Sequence, residues 1–181
     1  MLLVLDENVI IVKEAICKFD KSLWRHCLQT AKLALKVSEG LDVDRQILFT
    51  SGLVHDIGKI FISPDIIFKR GSLTKEERAE IDKHSILGYT YLQSLGFSEK
   101  ICEVVLLHHG YTKEKYGHKY NEESCRYADI LRACDIYDAV THNRVYHERI
   151  TQEEAMSIIE SQKEGIPDKV IEHLYKAQVV Y

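Results

Sequence analysis

The chain has 181 residues, of which 45% are apolar, enough to bury one sizeable core and too few for two comfortable domains, so residues 1–181 are read as a single domain. A net charge of −4, with 24 basic residues scattered along the chain, argues against broad nucleic-acid binding or binding to an acidic membrane. Five cysteines without a CxxC pair, Cys17, Cys27, Cys102, Cys125 and Cys134, fall mostly among helix-like apolar positions and read as reduced core residues of a cytoplasmic protein.

The stretch from Met1 to Val12 is apolar, but Asp6 and Glu7 interrupt it and no basic segment precedes it, so a signal peptide is not expected. No apolar run reaches the length of a membrane-spanning helix. The first clear helix is expected from Ser22, with Leu23, His26, Cys27, Thr30, Ala34 and Val37 on one face and a stop at Gly40. A second runs from Asp44, a good N-cap, through Ile47, Leu48, Ser51, Val54 and His55 to Gly58. Ile60 to Ile62 is the one strand-like run. Thr74 and Glu77 offer a capping box for a long helix ending at Gly96, and Ser98 can cap the next, which stops at Gly110. After a polar loop, Ser124 opens a helix with Ala128, Leu131, Asp135 and Asp138 along one stripe. Thr151 and Glu154 open another, and Pro167 at a first helical position starts the last, running towards Tyr181. The fold class is all-α, a compact helical bundle.

On five of these helices the inward apolar stripe is interrupted by imidazoles or carboxylates: His26, the pair His55-Asp56, His84, the pair His108-His109, and Asp135. His26 lies three residues after Leu23, His84 three after Ile81, His108 four after Val104 and Asp135 four after Leu131, so each points where its apolar neighbours point. Burying isolated carboxylates costs several kcal/mol each, about the net stability of a small domain, unless they are paired or bind a cation. A site rich in imidazole with carboxylates suits iron, manganese, nickel, zinc or copper better than calcium or magnesium. Seven ligand groups exceed one ion's coordination, which implies two metals with one carboxylate bridging. His118, His142, His147 and His173 lack that apolar context and are read as ordinary loop or helix-end residues.

The run His55-Asp56-Ile57-Gly58-Lys59, with His26 before it and Asp135 after it, resembles the HD superfamily of metal-dependent phosphohydrolases. The stretch from Ile60 to Gly88, the pair His108-His109 and the stretch from Asp135 to Tyr146 resemble its HD-GYP branch, which degrades cyclic di-guanylate. The resemblance covers about Ser22 to Glu160. It implies two or three metals at the seven positions named above, with Asp56 bridging. Three-metal members carry a glutamate one helical turn before the first histidine, where this chain has Ser22, so the resemblance favours two. The Gly-Tyr-Pro tripeptide that names the branch is missing: here His108-His109 is followed by Gly110, Tyr111 and, later, Tyr116 and Gly117. Arg144 matches a phosphate-binding arginine of the family, while His147 stands where a second basic residue is usual.

The resemblance implies a phosphodiesterase that hydrolyses a cyclic dinucleotide of the cyclic di-guanylate type with a hydroxide activated by two divalent transition metals, iron or manganese first, nickel or zinc compatible. Asp56 and Lys59 are the expected catalytic residues, Lys59 stabilising phosphate or protonating the leaving oxygen. Arg144 would clamp a second phosphate, and Tyr111 and Tyr116 would stack on a base. A nucleotidase acting on mononucleotides would use the same metals, and a lapsed sensor or scaffold would bind nucleotide without turnover. The expected partner is a small nucleotide, with homo-oligomerisation left open.

Overall fold

A computed structural model describes residues 7–110, 120–142, 151–162 and 165–178. Tyr111, Tyr116, His118, Arg144 and His147 lie outside those residues, as does the side chain of His142. The described residues are helical throughout their regular structure and form no strand.

The first element among the described residues is α1 (Glu7–Phe19), a helix the sequence reading did not place. Its buried residues Val9, Val12 and Ile16 follow helical spacing. A helix this short is marginal in water, so it is held by burying that stripe, each such side chain contributing about 1.5–3 kcal/mol. Next comes α2 (Lys21–Val37), started by Asp20, whose carboxylate accepts from the Ser22 N–H at 2.7 Å. Helix α3 (Arg45–Val54) begins at the expected Asp44 cap, which accepts from the N–H groups of Gln46 and Ile47. It ends at Val54 and not at Gly58: His55 caps it, and Ile57–Phe61 form a 3-10 turn that absorbs the strand-like run.

After a single turn, α4 (Pro64–Ile67), the capping box of Thr74 and Glu77 starts α5 (Lys75–Asp82) as expected. The expected long helix is broken at Lys83, and α6 (His84–Ser94) starts there. No glycine or proline marks the break. It arises from tertiary packing, because the His84 carbonyl lies where a Cβ on Gly58 would be. Helix α7 (Glu99–Leu107) follows Ser98, and Gly96 and Gly110 take the left-handed conformation that stops α6 and α7. Helix α8 (Glu122–His142) starts two residues before Ser124, with Asn121 accepting from Glu123 N–H. Ser124 instead donates to Glu103 on α7. The Thr151–Glu154 box starts α9 (Gln152–Gln162), and α10 (Asp168–Gln178) follows Pro167.

Two apolar clusters share α2, α3 and α7. One joins Leu33 and Val37 of α2 with Leu107 of α7, Tyr127 and Leu131 of α8, Met156 of α9 and Leu174 of α10. The other joins α1 to Ala31, Leu53, Ile57, Leu92 and Val105. Helices α2 and α3 pass so closely that a Cβ on Gly52 would lie 2.7 Å from the Ala31 Cα. That approach brings the rings of His26 and His55 to 5.3 Å between centroids. No helix among the described residues is long and apolar enough to cross a membrane.

Candidate metal centre

All seven residues singled out as metal ligands come together in one cluster. Three of the imidazoles are set by one local device. Nδ1 of His55 donates to the Gly52 carbonyl at 2.8 Å, Nδ1 of His84 to Ile81 at 2.6 Å, and Nδ1 of His108 to Val105 at 2.6 Å. Each acceptor lies three residues upstream, at the end of a helix. In a neutral ring a proton fixed on Nδ1 leaves the lone pair on Nε2, and the carbonyl fixes the ring's direction.

The donors fall into two groups. In the first, the Nε2 atoms of His108 and His109 lie 3.3 and 3.0 Å from that of His84. Burial lowers all three imidazoles from their ordinary value, His84 to about 4, and the charge that a protonated His109 would bring acts on His108 in the same direction. They are therefore neutral at pH 7. His109 is exposed and opens this group to solvent.

The second group is acidic. His26 Nε2 lies 2.9 Å from Asp135 Oδ1, and His55 Nε2 lies 3.6 Å from the same oxygen. Burial alone would depress His26, but hydrogen bonds to Asp135 and Asp138 raise it to about 10. Burial opposes the charge on His55 too, and the Asp56 carboxylate outweighs it. Asp56 and Asp135, which burial alone would push up, are held well below the carboxylate range, Asp56 by Lys59 and the surrounding imidazoles, Asp135 by His26 and His55.

Asp56 stands between the groups. Its Oδ1 lies 3.4 Å from His84 Nε2, and its Oδ2 lies 3.5 and 3.6 Å from the Nε2 atoms of His55 and His26. Lys59 Nζ donates to Oδ2 at 2.6 Å.

Two residues that the sequence reading left out belong to this surrounding. Asp138 Oδ2 accepts from His26 Nδ1 at 2.6 Å, doing for His26 what backbone carbonyls do for the other three. Its place three residues after Asp135, on the same stripe, was the available signal. Cys27, read as a core residue, is buried, yet its Sγ, a His55 nitrogen and an Asp56 oxygen all lie within 4.8 Å of one another. Ser22, at the position of the extra glutamate, is engaged with Asp20 through its hydroxyl. His173, read as structural, donates to the Val37 carbonyl at 3.1 Å, away from the centre.

The donor set fits transition-metal ions. His55 Nε2 is buried and has no hydrogen-bond partner, although two carboxylates face it beyond bonding distance. The Nε2 atoms of His84 and His108, both lone-pair bearing, face each other without a proton to share. Two nitrogens about 2.1 Å from one ion are separated by about 3.0 Å at right angles and about 3.4 Å at the tetrahedral angle, the range seen here.

The HD domain family matches residues 23–140, which contain the seven candidate ligands together with Cys27, Lys59 and Asp138. Among characterised proteins, the chain is 30% identical over 145 residues to 3'3'-cGAMP-specific phosphodiesterase 1 of Vibrio cholerae, covering 75% of this chain and 33% of that protein. It is 24% identical to cyclic di-GMP phosphodiesterase PA4108 of Pseudomonas aeruginosa, covering 90% and 41%. The chain thus spans less than half the length of these relatives. Among solved structures, the HD domain of the L. monocytogenes phosphodiesterase PgpH in complex with cyclic-di-AMP superposes with a TM-score of 0.67 at 17% identity, covering 94% of this chain and 98% of that one. The match over most of the chain, with the His55-Asp56 pair at the heart of the donor cluster, makes this protein a member of the HD domain family.

Proposed function

We propose that the chain is a metal-dependent phosphodiesterase that opens a cyclic dinucleotide to a linear product, with two divalent transition-metal ions held by His26, His55, Asp56, His84, His108, His109 and Asp135. The observation that carries this reading is the position of Asp56, with one oxygen 3.4 Å from Nε2 of His84, one of the three neutral imidazoles, and the other 3.5 and 3.6 Å from the Nε2 atoms of His55 and His26. In it, His84, His108, His109 and Asp56 would hold one ion, and His26, His55, Asp135 and Asp56 would hold the other. Iron or manganese suits this nitrogen–oxygen set, and nickel or zinc is compatible with it.

Bound there, the ions would lower the pKa of water and neutralise charge on phosphoryl oxygens. The protein's own part is to orient and exclude. Backbone carbonyls and Asp138 fix the imidazoles, so no reorganisation is needed at the moment of reaction. Lys59 is a quarter exposed, at the open edge of the site, and although burial disfavours its charge, Asp56 holds it cationic. A lysine held in that form suits stabilisation of a phosphate oxygen better than proton transfer. Arg144 is proposed to hold the remote phosphate, with Tyr111 and Tyr116 stacking on a base. The cyclic dinucleotides named for the relatives support the substrate class. The five free cysteines fit a reducing cytoplasm.

The test is product analysis. Metal-loaded protein should convert cyclic di-GMP, 3'3'-cGAMP or cyclic di-AMP to the linear dinucleotide. Release of inorganic phosphate from mononucleotides, with no cleavage of any of the three, would replace this reading with that of a nucleotidase.

A further inference from the structure

The acidic half of the centre offers fewer donors than a six-coordinate ion can take. His26, His55, Asp135 and the shared Asp56 supply four. A fifth group stands beside them on α2, one residue after His26. The Cys27 Sγ lies within 4.8 Å of both a His55 nitrogen and an Asp56 oxygen, and all three residues are buried. The Nδ1 of His55 is already committed to the Gly52 carbonyl, so the nitrogen left for a ligand is Nε2, the buried atom without a hydrogen-bond partner. A buried imidazole nitrogen of that kind is unfavourable by about 1–3 kcal/mol until something bonds to it. Beside this imidazole stand the Cys27 sulfur and an Asp56 carboxylate oxygen.

Resting on the metal-centre reading above, we propose that Cys27 is a sulfur ligand to the ion in the acidic half, joining His55 and Asp56. Bonds of about 2.0–2.3 Å place donors on one ion up to about 4.4 Å apart, so the observed spread closes with side-chain adjustments of a few tenths of an ångström. On coordination the S–H bond is replaced by an S–metal bond, and the proton leaves to solvent as the ion enters. A thiolate among nitrogen and oxygen donors makes this half softer than the other. It selects iron or zinc over manganese there, and so makes the two ion sites chemically distinct. None of the other four cysteines belongs to a donor group among the described residues.

The test uses cobalt(II) as the probe, in the full chain stripped of metal and reloaded. Cobalt bound by the centre gives weak visible ligand-field bands, and a sulfur ligand adds strong near-ultraviolet charge-transfer absorption. The wild type should show both. Cys27→Ser and Cys27→Ala should keep the ligand-field bands and lose the charge-transfer band, and zinc affinity should fall about 10–100-fold while manganese affinity changes little. Ligand-field bands in the wild type without charge-transfer absorption would overturn the proposal and leave the metal centre standing, as would a charge-transfer band that survives in Cys27→Ala. If no cobalt binds the wild type at all, the metal-centre reading falls and this proposal falls with it. Because the wild-type spectrum alone can decide against it, the test does not depend on the variants folding.

Discussion

Replacing Gly58 by alanine tests how the fold sets the centre. Gly58 follows the Asp56-Ile57 step, and a Cβ built on it would lie 1.9 Å from the His84 carbonyl oxygen and 2.7 Å from both the His84 carbonyl carbon and the Gly88 nitrogen. Real Cβ contacts essentially never fall under 3.0 Å, so the 3-10 turn and the start of α6 must part by at least about 1.1 Å. All three obstacles are backbone, so no side chain can swing aside. Overpacking of this kind costs about 1–3 kcal/mol, and with backbone on both sides the upper figure applies. At about 2–4 °C per kcal/mol for a chain of this size, the melting midpoint of metal-free protein should fall by about 6–12 °C. The same displacement carries His84 away from His108, whose Nε2 atoms are now 3.3 Å apart, so affinity for the ion of the three-histidine group should fall as well. Gly88→Ala is the control. Its Cβ would meet the Val105 Cγ1 at 3.3 Å, a side chain that can give, and the gain in helix propensity offsets the contact. Thermal melts followed by circular dichroism decide the matter. A Gly58→Ala midpoint within about one degree of wild type would refute the close-approach argument.

Metal analysis should find about two ions per chain, and His84→Ala should lower this to one without loss of helical signal, since its partners His108 and His109 alone hold an ion poorly. Asp138→Asn should weaken binding at the acidic half about 10–100-fold by removing the carboxylate that orients His26, and unchanged metal affinity would show that the contact is idle. Arg144→Ala should slow cyclic dinucleotide turnover by about 1.5–3 kcal/mol while leaving bis-nitrophenyl phosphate hydrolysis nearly unchanged, because that substrate has no second phosphate. Asp129 on α8 titrates near 6 because burial, only partly offset by Arg132, disfavours its charge. A carboxyl raised in the folded state favours folding fully below its ordinary value and loses that contribution as pH rises through about 6. Asp129→Asn should therefore stabilise the protein above pH 6 by about 1–2 kcal/mol, discounted for partial exposure, and denaturation midpoints at pH 5 and pH 8 measure it.

Most of the site was legible because metal ligands interrupt apolar stripes, and interruption is a local signal. His26 and Asp135 each sit three or four residues from an apolar neighbour packed in the core, Leu23 and Leu131, whereas Ile81, the neighbour of His84, lies on α5, which buries none of its residues. The capping boxes at Thr74 and Thr151 were legible for the same reason, being pairs three residues apart. What the sequence hid depends on contacts between distant segments. The break at Lys83 has no local cause, since helical periodicity runs straight through it, and only the approach of Gly58 accounts for it. Helix α1 was hidden differently. Its stripe of Val9, Val12 and Ile16 was visible, but the apolar stretch it continues was judged only as a targeting segment.

Asp138 and Cys27 show why a ligand list drawn from stripes stops short. A carboxylate on the stripe reads as one more candidate ligand until its partner is known, and here its partner is His26 Nδ1, which turns Asp138 into the group that aims a ligand. A cysteine on an apolar face reads as core, and by burial Cys27 is core. What separates it from Cys102 or Cys134, equally buried, is the unbonded nitrogen of His55 beside it. The charge balance of the site follows the same logic. Without a bound cation, Lys59 compensates Asp56, and the carboxylates Asp56 and Asp135 favour protons on His26 and His55. A cation entering the acidic half must displace those protons. The half of the centre that holds the carboxylates therefore binds metal in competition with acid over a wide pH range, while the three neutral imidazoles opposite compete with protons only when the solution is itself acidic.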